Sequence, residues 1–233
     1  SSTVSSSLAS GCNQIFFTHI SFESVKHDGS VITWGNASNG GNSSAVSSSL
    51  ASGVSQIFST SSSFAAVKDD GSVITWGNSF FGGDSSAVSS SLASGVSQLF
   101  STEYAFAAVK DDGSVITWGH SVYGGNSSSV SSSISSGVSQ ILSTSGALAA
   151  LKTDGSVVTW GDASYGGDSS AVSSSLASGV SQIFSTEYAF AALKTDGSVI
   201  TWGYSTRGGD SSAVSSSLAS GVSQLFSTER AFA

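Results

Sequence analysis

The sequence has few charged side chains and very few basic ones. Only 9 % of its 233 residues are Asp, Glu, Lys or Arg, and seven basic residues against fifteen acidic ones give a formal net charge of -8. Binding to nucleic acid or to an anionic membrane surface requires a basic field, so we expect neither as a partner. Low charge accompanies disorder only where apolar content is also low. Since 39 % of the residues are hydrophobic, we expect a folded chain with a weakly charged surface.

Cysteine occurs once and methionine not at all. Cys12 alone excludes an intramolecular disulfide framework and a Cys-rich metal site. It stands where the other units described below have valine, and we expect it to be a small buried hydrophobic residue. The sequence contains no run of about 18 apolar residues, so we expect no membrane span, and we recognise no basic-plus-apolar leader in it. Because the chain starts at Ser1 and lacks methionine, we expect a processed form, an excised fragment or a sequence without its ends.

The tryptophans recur at a fixed spacing. They are Trp34, Trp76, Trp118, Trp160 and Trp202, each 42 residues after the last. We predict that these tryptophans are structural and pack between neighbouring units. A fixed period of this size indicates a repeat architecture. The full units are 1–42, 43–84, 85–126, 127–168 and 169–210, and residues 211–233 are the first half of a sixth. The sequence therefore predicts a single repeat domain over residues 1–233 without a linker.

Each unit reads as a helical segment followed by three strands. In the third unit, Asp84 is a good N-cap and Gly95 suits the left-handed end of a short helix or helical turn. A β-like run over 96–102 follows, and two further runs flank Asp111-Asp112-Gly113. Asp-Gly between alternating runs is a strong hairpin signal, because the turn needs a positive φ at glycine. The predicted structural turn glycines are Gly29, Gly71, Gly113, Gly155 and Gly197.

Both faces of these strands carry apolar or small residues, which predicts sheets stacked face to face. Such sheets close into a β-propeller or continue as an open solenoid, and a period of 42 fits a propeller blade. The string Phe-Ala-Ala-Leu-Lys-Thr-Asp-Gly-Ser-Val-Val-Thr-Trp-Gly-Asp-Ala-Ser-Tyr-Gly-Gly resembles the repeat of the regulator of chromosome condensation family. That resemblance implies a propeller, although the family usually has seven blades; the repeat units of this sequence predict an all-β fold of about five blades with short helical segments. An open β-solenoid, or a propeller completed by another chain, is the alternative.

Strand order places two variable segments of each unit at the same end. The loop after the first strand and the loop after the tryptophan both lie opposite the near-constant Asp-Gly turn. Tyrosine and arginine are typical interface anchors, and these loops are rich in aromatic residues. The predicted partner-binding residues are Phe80, Phe81, Tyr104, Tyr123, Tyr165, Tyr188, Tyr204, Arg207 and Arg230. Unselected drift on exposed loops is the alternative explanation of their variability.

Catalytic and metal-binding patterns are poor. The three histidines, His19, His27 and His120, lack metal-ligand spacing, and no serine stands in a Gly-x-Ser-x-Gly elbow. The Asn/Asp column ending each unit lacks the dense oxygen ligands of a calcium site, and helix capping explains it better. We interpret the one lysine per unit as solvated and the serines as filler on a mildly polar surface.

The sequence thus predicts a non-enzymatic scaffold without a cofactor or metal that binds a protein partner through its variable loops. The alternative function is a structural or adhesive array that self-assembles into oligomers or filaments. Three Asn-x-Ser sequons, at Asn36, Asn42 and Asn126, would matter only in a secreted eukaryotic protein, and chance in a serine-rich chain explains them equally well. The compartment stays open, with an extracellular one slightly favoured.

Overall fold

A computed structural model of the chain describes residues 11–233. The helical segment expected at the start of unit 1–42 lies outside the described residues. The described chain divides into two compact units, each larger than the 42-residue repeats of the sequence, and from here on 'unit' refers to these two. The first comprises residues up to 111 together with 116–120, and the second comprises 112–115 together with 121–233. Each is described by itself below.

Residues 11–233 contain five three-stranded sheets, in each of which the strands are ordered as in the chain. The first unit contains β1 Cys12–Phe17, β2 Ser21–Lys26, β3 Val31–Gly35, β4 Val54–Ser59, β5 Ser63–Lys68, β6 Val73–Gly77, β7 Val96–Ser101 and β8 Ala105–Lys110, together with most of β9 Val115–Gly119. The second contains β10 Val138–Ser143, β11 Ala147–Lys152, β12 Val157–Gly161, β13 Val180–Ser185, β14 Ala189–Lys194 and β15 Val199–Gly203. The predicted strands and their order within each repeat are confirmed.

The Asp-Gly turns form as predicted. In the second sheet, Lys68 N donates to Ser72 O and Gly71 N donates to Lys68 O, both at 2.9 Å. The five predicted turn glycines have φ between +73° and +77°, which only glycine adopts without strain. The turn also touches the next repeat, because Val96 N donates to Gly71 O at 3.0 Å and a Cβ on Gly71 would lie 2.8 Å from Gly95 N. Glycine is therefore required here twice, for its conformation and for the close approach.

Successive sheets pack face to face within each unit, as the burial of both strand faces predicts. In the first unit, Ala65 and Val67 of β5 contact Leu99, Phe106 and Trp118 of the next sheet. The middle strands β5, β8, β11 and β14 are buried at five consecutive positions. Alanines on these strands allow the neighbouring sheet to approach, while Phe106 fills the space beside Trp118, with ring centroids 5.3 Å apart. Neighbouring repeats thus supply the core that one sheet lacks.

The helical segments are short turns, which is the second of the two predicted alternatives, a short helix or a helical turn. Each capping residue is followed by a single 3₁₀ turn, and four-residue α1 Ser173–Leu176 is the one α-helix in the described chain. The 3₁₀ turns lie at Ala37–Asn39, Ser44–Val46, Ser79–Phe81, Ser86–Val88, Ser128–Val130, Ala163–Tyr165, Ser170–Val172, Ser205–Arg207 and Ser212–Val214, with a kinked turn at Ser121–Gly125. Asp84 accepts a hydrogen bond from Ser86 N at 2.9 Å, two residues on. The capping role is confirmed, but it closes a turn rather than starting a helix.

Three interpretations of side chains are wrong. Lysine is not simply solvated, since Lys68 Nζ donates to Ser49 O at 2.8 Å, at the end of the preceding helical turn. The serines are not all filler, since Ser101 Oγ donates to Ser59 O, 42 residues away, at 2.9 Å. Cys12 is half-buried rather than buried. Serine and lysine in this chain therefore satisfy backbone carbonyls that the short turns and adjacent strands leave free.

Candidate functional site

The loops after Trp34, Trp76 and Trp160 are held in one conformation by side-chain hydrogen bonds. In the second repeat, Asn78 Oδ1 accepts from Phe80 N at 2.9 Å, and Thr60 Oγ1 donates to Phe81 O at 3.1 Å. The loop then turns at Gly82, whose φ is +98°. In the fourth repeat, Asp162 and Thr144 make the equivalent bonds, at 2.8 and 3.0 Å. These loops therefore present their variable side chains from a fixed backbone.

The loop after each first strand is joined to its counterpart in a neighbouring repeat. Ser61 N donates to Glu103 O at 2.8 Å in the first unit, and Ser145 N donates to Glu187 O at 3.0 Å in the second. In the fifth repeat, Thr186 Oγ1 accepts from the backbone N–H groups of Tyr188 and Ala189. The two variable loops of a repeat meet in space, because His120 N donates to Tyr104 O at 3.0 Å.

In the first unit the predicted residues Phe80, Phe81 and Tyr104 come together with His120, and we call these four residues the phenylalanine cluster. Phe81 lies 5.2 Å from Tyr104 between ring centroids, and Phe80 lies 5.4 Å from His120. Phe80 is 69 % exposed. An exposed phenylalanine packed against two other rings, Phe81 and His120, is an apolar anchor of the type found at protein interfaces.

In the second unit four predicted residues form a continuous series of rings, Tyr123, Tyr165, Tyr188 and Tyr204, which we call the tyrosine row. Successive ring centroids are 6.4, 5.5 and 6.1 Å apart. Arg207 belongs to the same surface, with its Cζ 4.7 Å from the centroid of Tyr188. Tyr204 is 47 % exposed.

The ninth predicted residue, Arg230, is in neither cluster. Its Nε donates to Glu229 Oε1 at 2.8 Å in an exposed pair. Sequence reasoning missed two contributors to the site. His120 stands in the variable column after the tryptophan, yet it was considered only as a metal ligand. Gly146 leaves room for the tyrosine row, because a Cβ there would lie 2.8 Å from Tyr165 Cδ2 and 3.0 Å from Tyr123 Cδ1.

The predicted structural tryptophans occupy equivalent positions. Trp76, Trp118, Trp160 and Trp202 are 3 to 5 % exposed, and each Nε1 donates at 3.1 Å to a glycine carbonyl of the preceding repeat. Trp34 is half-buried. Within residues 11–233, no helix is long and apolar enough to cross a bilayer, and no three His, Cys, Asp or Glu side chains are grouped as metal ligands.

No family model matches the sequence, and no curated protein does so either. Solved structures do match. Human WBSCR16 is 21 % identical over 82 % of this chain and 61 % of its own, with a TM-score of 0.50. Prp20p of Saccharomyces cerevisiae, the yeast RCC1, is 14 % identical over 82 % and 56 %, and the ectodomain of the Physcomitrella patens receptor kinase CR4 is 15 % identical over 83 % and 50 %, both with a TM-score of 0.49.

The chain is therefore a repeat protein of the β-propeller class. Its fold is similar to that of WBSCR16, and the all-β repeat fold that the sequence predicts is confirmed. The chain spans 50 to 61 % of the length of these three structures. At this level of identity the likeness concerns the fold alone.

Proposed function

We propose that the chain is a non-enzymatic β-propeller scaffold that recognises a protein partner through its variable loops. One observation carries the proposal: the residues that differ most among the repeats gather into two aromatic clusters, while the core, turns and tryptophans stay nearly constant. Aromatic side chains provide large contact areas at low conformational cost.

The hydrogen bonding of the loops supports the same function. Asn78, Asp162 and the threonine hydroxyls fix the loop backbones before any partner arrives. A preformed surface loses less conformational entropy on binding than a flexible one does. The exposed ring of Phe80 and the phenol of Tyr204 are then available on a rigid support.

The experiment is a selection of peptides from a random display library on the whole chain, followed by titration against two variants. The loop variant combines Phe80→Ser, Tyr104→Ser and Tyr188→Ser, because serine occupies these columns at Ser38 and Ser62. The turn variant combines Asp69→Thr and Asp111→Thr, since threonine occupies that column in other repeats. We expect the loop variant to weaken binding at least about tenfold and the turn variant to leave it unchanged. Binding that survives in the loop variant would overturn the proposal.

The alternative, a self-assembling array, is favoured by apolar side chains on β1. Ile15 is 62 % and Phe17 66 % exposed. Light scattering separates the two functions: the scaffold stays at the monomer mass of 23.2 kDa, whereas the array grows with concentration.

A further inference from the structure

Beside the third ring of the tyrosine row lies a cation that has no carboxylate partner among residues 11–233. Arg207 occupies the column that holds Tyr123 and Tyr165 in the two preceding repeats, and its guanidinium lies against the ring of Tyr188. Its Nη1 atom is buried and makes no hydrogen bond to any described residue. In residues 11–233 the one ion pair joins Arg230 to Glu229, so Arg207 has no carboxylate of its own.

A guanidinium in this position calls for an anionic acceptor. Arginine stays protonated at all physiological pH values, and its planar fork matches a carboxylate in two parallel hydrogen bonds. Stacking against Tyr188 holds the fork in one orientation, so little freedom remains to be lost on pairing. A ligand that brings a carboxylate to the half-buried side chain of Arg207 would supply the counter-charge that the described residues do not.

The spacing of the row indicates the shape of that ligand. The centroids of the rings are 5.5 to 6.4 Å apart. Alternate residues on one side of an extended peptide are about 6.6 Å apart, which is twice the rise per residue of a strand. Because Tyr165 and Tyr188 stack on each other at 19°, they present ring edges to a ligand rather than open faces. An extended chain running along the row would meet a phenol edge at every second residue.

From these observations we infer that the tyrosine row and Arg207 form a docking surface for an extended protein segment that carries an aspartate or glutamate. This inference rests on the proposed function and names its partner class. A nucleic acid would also offer an anion, but the net charge of -8 opposes a polyanion much more strongly than a ligand with an isolated carboxylate. The phenylalanine cluster has no arginine, so the carboxylate preference belongs to the tyrosine row alone.

The test uses the whole chain and two arginine variants that change charge equally. Arg207→Tyr installs the residue found at Tyr165, and Arg230→Tyr installs the residue found at Tyr188. Peptides selected from the random display library are titrated against both variants, each peptide also being made with Asn or Gln in place of Asp or Glu. Each peptide is also titrated against Tyr188→Ser. A peptide that binds this variant as tightly as the wild type does not use the tyrosine row and is set aside.

We expect Arg207→Tyr to weaken the binding of the acidic peptides about tenfold, because a charge-assisted pair is lost. We expect Arg230→Tyr to change their affinity less than twofold. The Asn or Gln peptides should bind wild type as weakly as the acidic peptides bind Arg207→Tyr, with no further loss when both changes are combined. Equal effects of the two arginine variants, or tyrosine-dependent peptides without a carboxylate, would overturn the inference and leave the proposed function intact. Binding of an acidic oligosaccharide such as oligogalacturonate in place of any peptide would overturn it as well. Peptides indifferent to the loop variant described above would instead remove the proposed function.

Discussion

The indole Nε1 of Trp118 donates a hydrogen bond of 3.1 Å to the backbone carbonyl of Gly82, 36 residues earlier in the chain. Gly82 ends the loop that carries Phe80 and Phe81. The same bond joins Trp202 to Gly166, next to Tyr165. Each of the four buried tryptophans, Trp76, Trp118, Trp160 and Trp202, therefore fixes the variable loop of the repeat before it, so the constant scaffold positions the candidate binding residues directly.

Replacing Trp118 by phenylalanine keeps an aromatic ring but removes the donor. We expect the free energy of unfolding to fall by about 1 to 3 kcal/mol, because the carbonyl of Gly82 stays buried without a partner. Urea unfolding measures the loss. Trp34→Phe is the matched control, since Trp34 is half-buried and its Nε1 makes no hydrogen bond to any residue in 11–233. Equal losses in the two variants would show that ring volume, not the hydrogen bond, accounts for the effect.

The repeat pattern predicts the strands, the hairpins and the end of each sheet at which the loops lie. Period and turn chemistry are local, so Asp70-Gly71 can be assigned from neighbours in sequence. The contacts that join one repeat to the next cannot, because they depend on how two sheets meet. The acceptor of Trp118 and the bond from Val96 N to Gly71 O are of this kind.

The sequence predicts which residues belong to the candidate site, but it does not predict how they group in space. The variable columns identify seven residues of the two clusters, including Phe80 and Tyr188, and Arg207 beside them. The sequence does not show which of these residues contact one another, because contacts such as the one between Tyr123 and Tyr165 in the tyrosine row depend on the room left by Gly146. The sequence also does not show that Arg207 lacks a carboxylate partner, because that depends on which carboxylates lie nearby in the fold.

Lys110 tests the role of the lysine column. Its Nζ donates to Ser91 O at 2.6 Å and to Ser94 O, at the end of a helical turn. We expect Lys110→Met to lower the unfolding free energy by about 1 kcal/mol, since the ammonium satisfies carbonyls that the turn leaves free. Urea unfolding again gives the value, and Asp111→Thr on the adjacent exposed position should cost nothing measurable. An unchanged stability for Lys110→Met would restore the solvated interpretation.

Acid should weaken the hairpin turns. The side chain and backbone N–H of Ser72 both bond Asp70, and these bonds lower the pKa of its carboxyl below the usual value; Ser156 and Ser198 do the same for Asp154 and Asp196. A carboxyl whose folded pKa is depressed contributes stability above its unfolded pKa and loses it as the pH falls through the folded pKa. Thermal unfolding should therefore shift to lower temperature below about pH 4.

The triple variant Asp70→Asn, Asp154→Asn, Asp196→Asn keeps an acceptor oxygen in each turn but cannot titrate. Its melting temperature should depend less on pH in the acid range than that of the wild type. The same slope in both proteins would assign acid sensitivity to other carboxyls.

Glu23 should destabilise the chain at neutral pH. It occupies the column of Ala65, Ala107, Ala149 and Ala191 on a middle strand, it is fully buried, and neither carboxyl oxygen has a hydrogen-bond partner among the described residues. Burial raises the pKa of this carboxyl well above its ordinary value. Because the folded pKa exceeds the unfolded one, stability is highest below the unfolded pKa and declines as the pH rises towards the folded pKa. This dependence is opposite in sign to that of the turn aspartates.

Glu23→Ala, which restores the residue of the other repeats, should raise the unfolding free energy at pH 7 by about 1 to 3 kcal/mol. Glu23→Gln should abolish the decline with pH while keeping a buried polar group, so it should gain less. Urea unfolding across pH 5 to 8 measures both, and an alanine variant less stable than wild type at pH 7 would mean that the carboxylate is satisfied in solution.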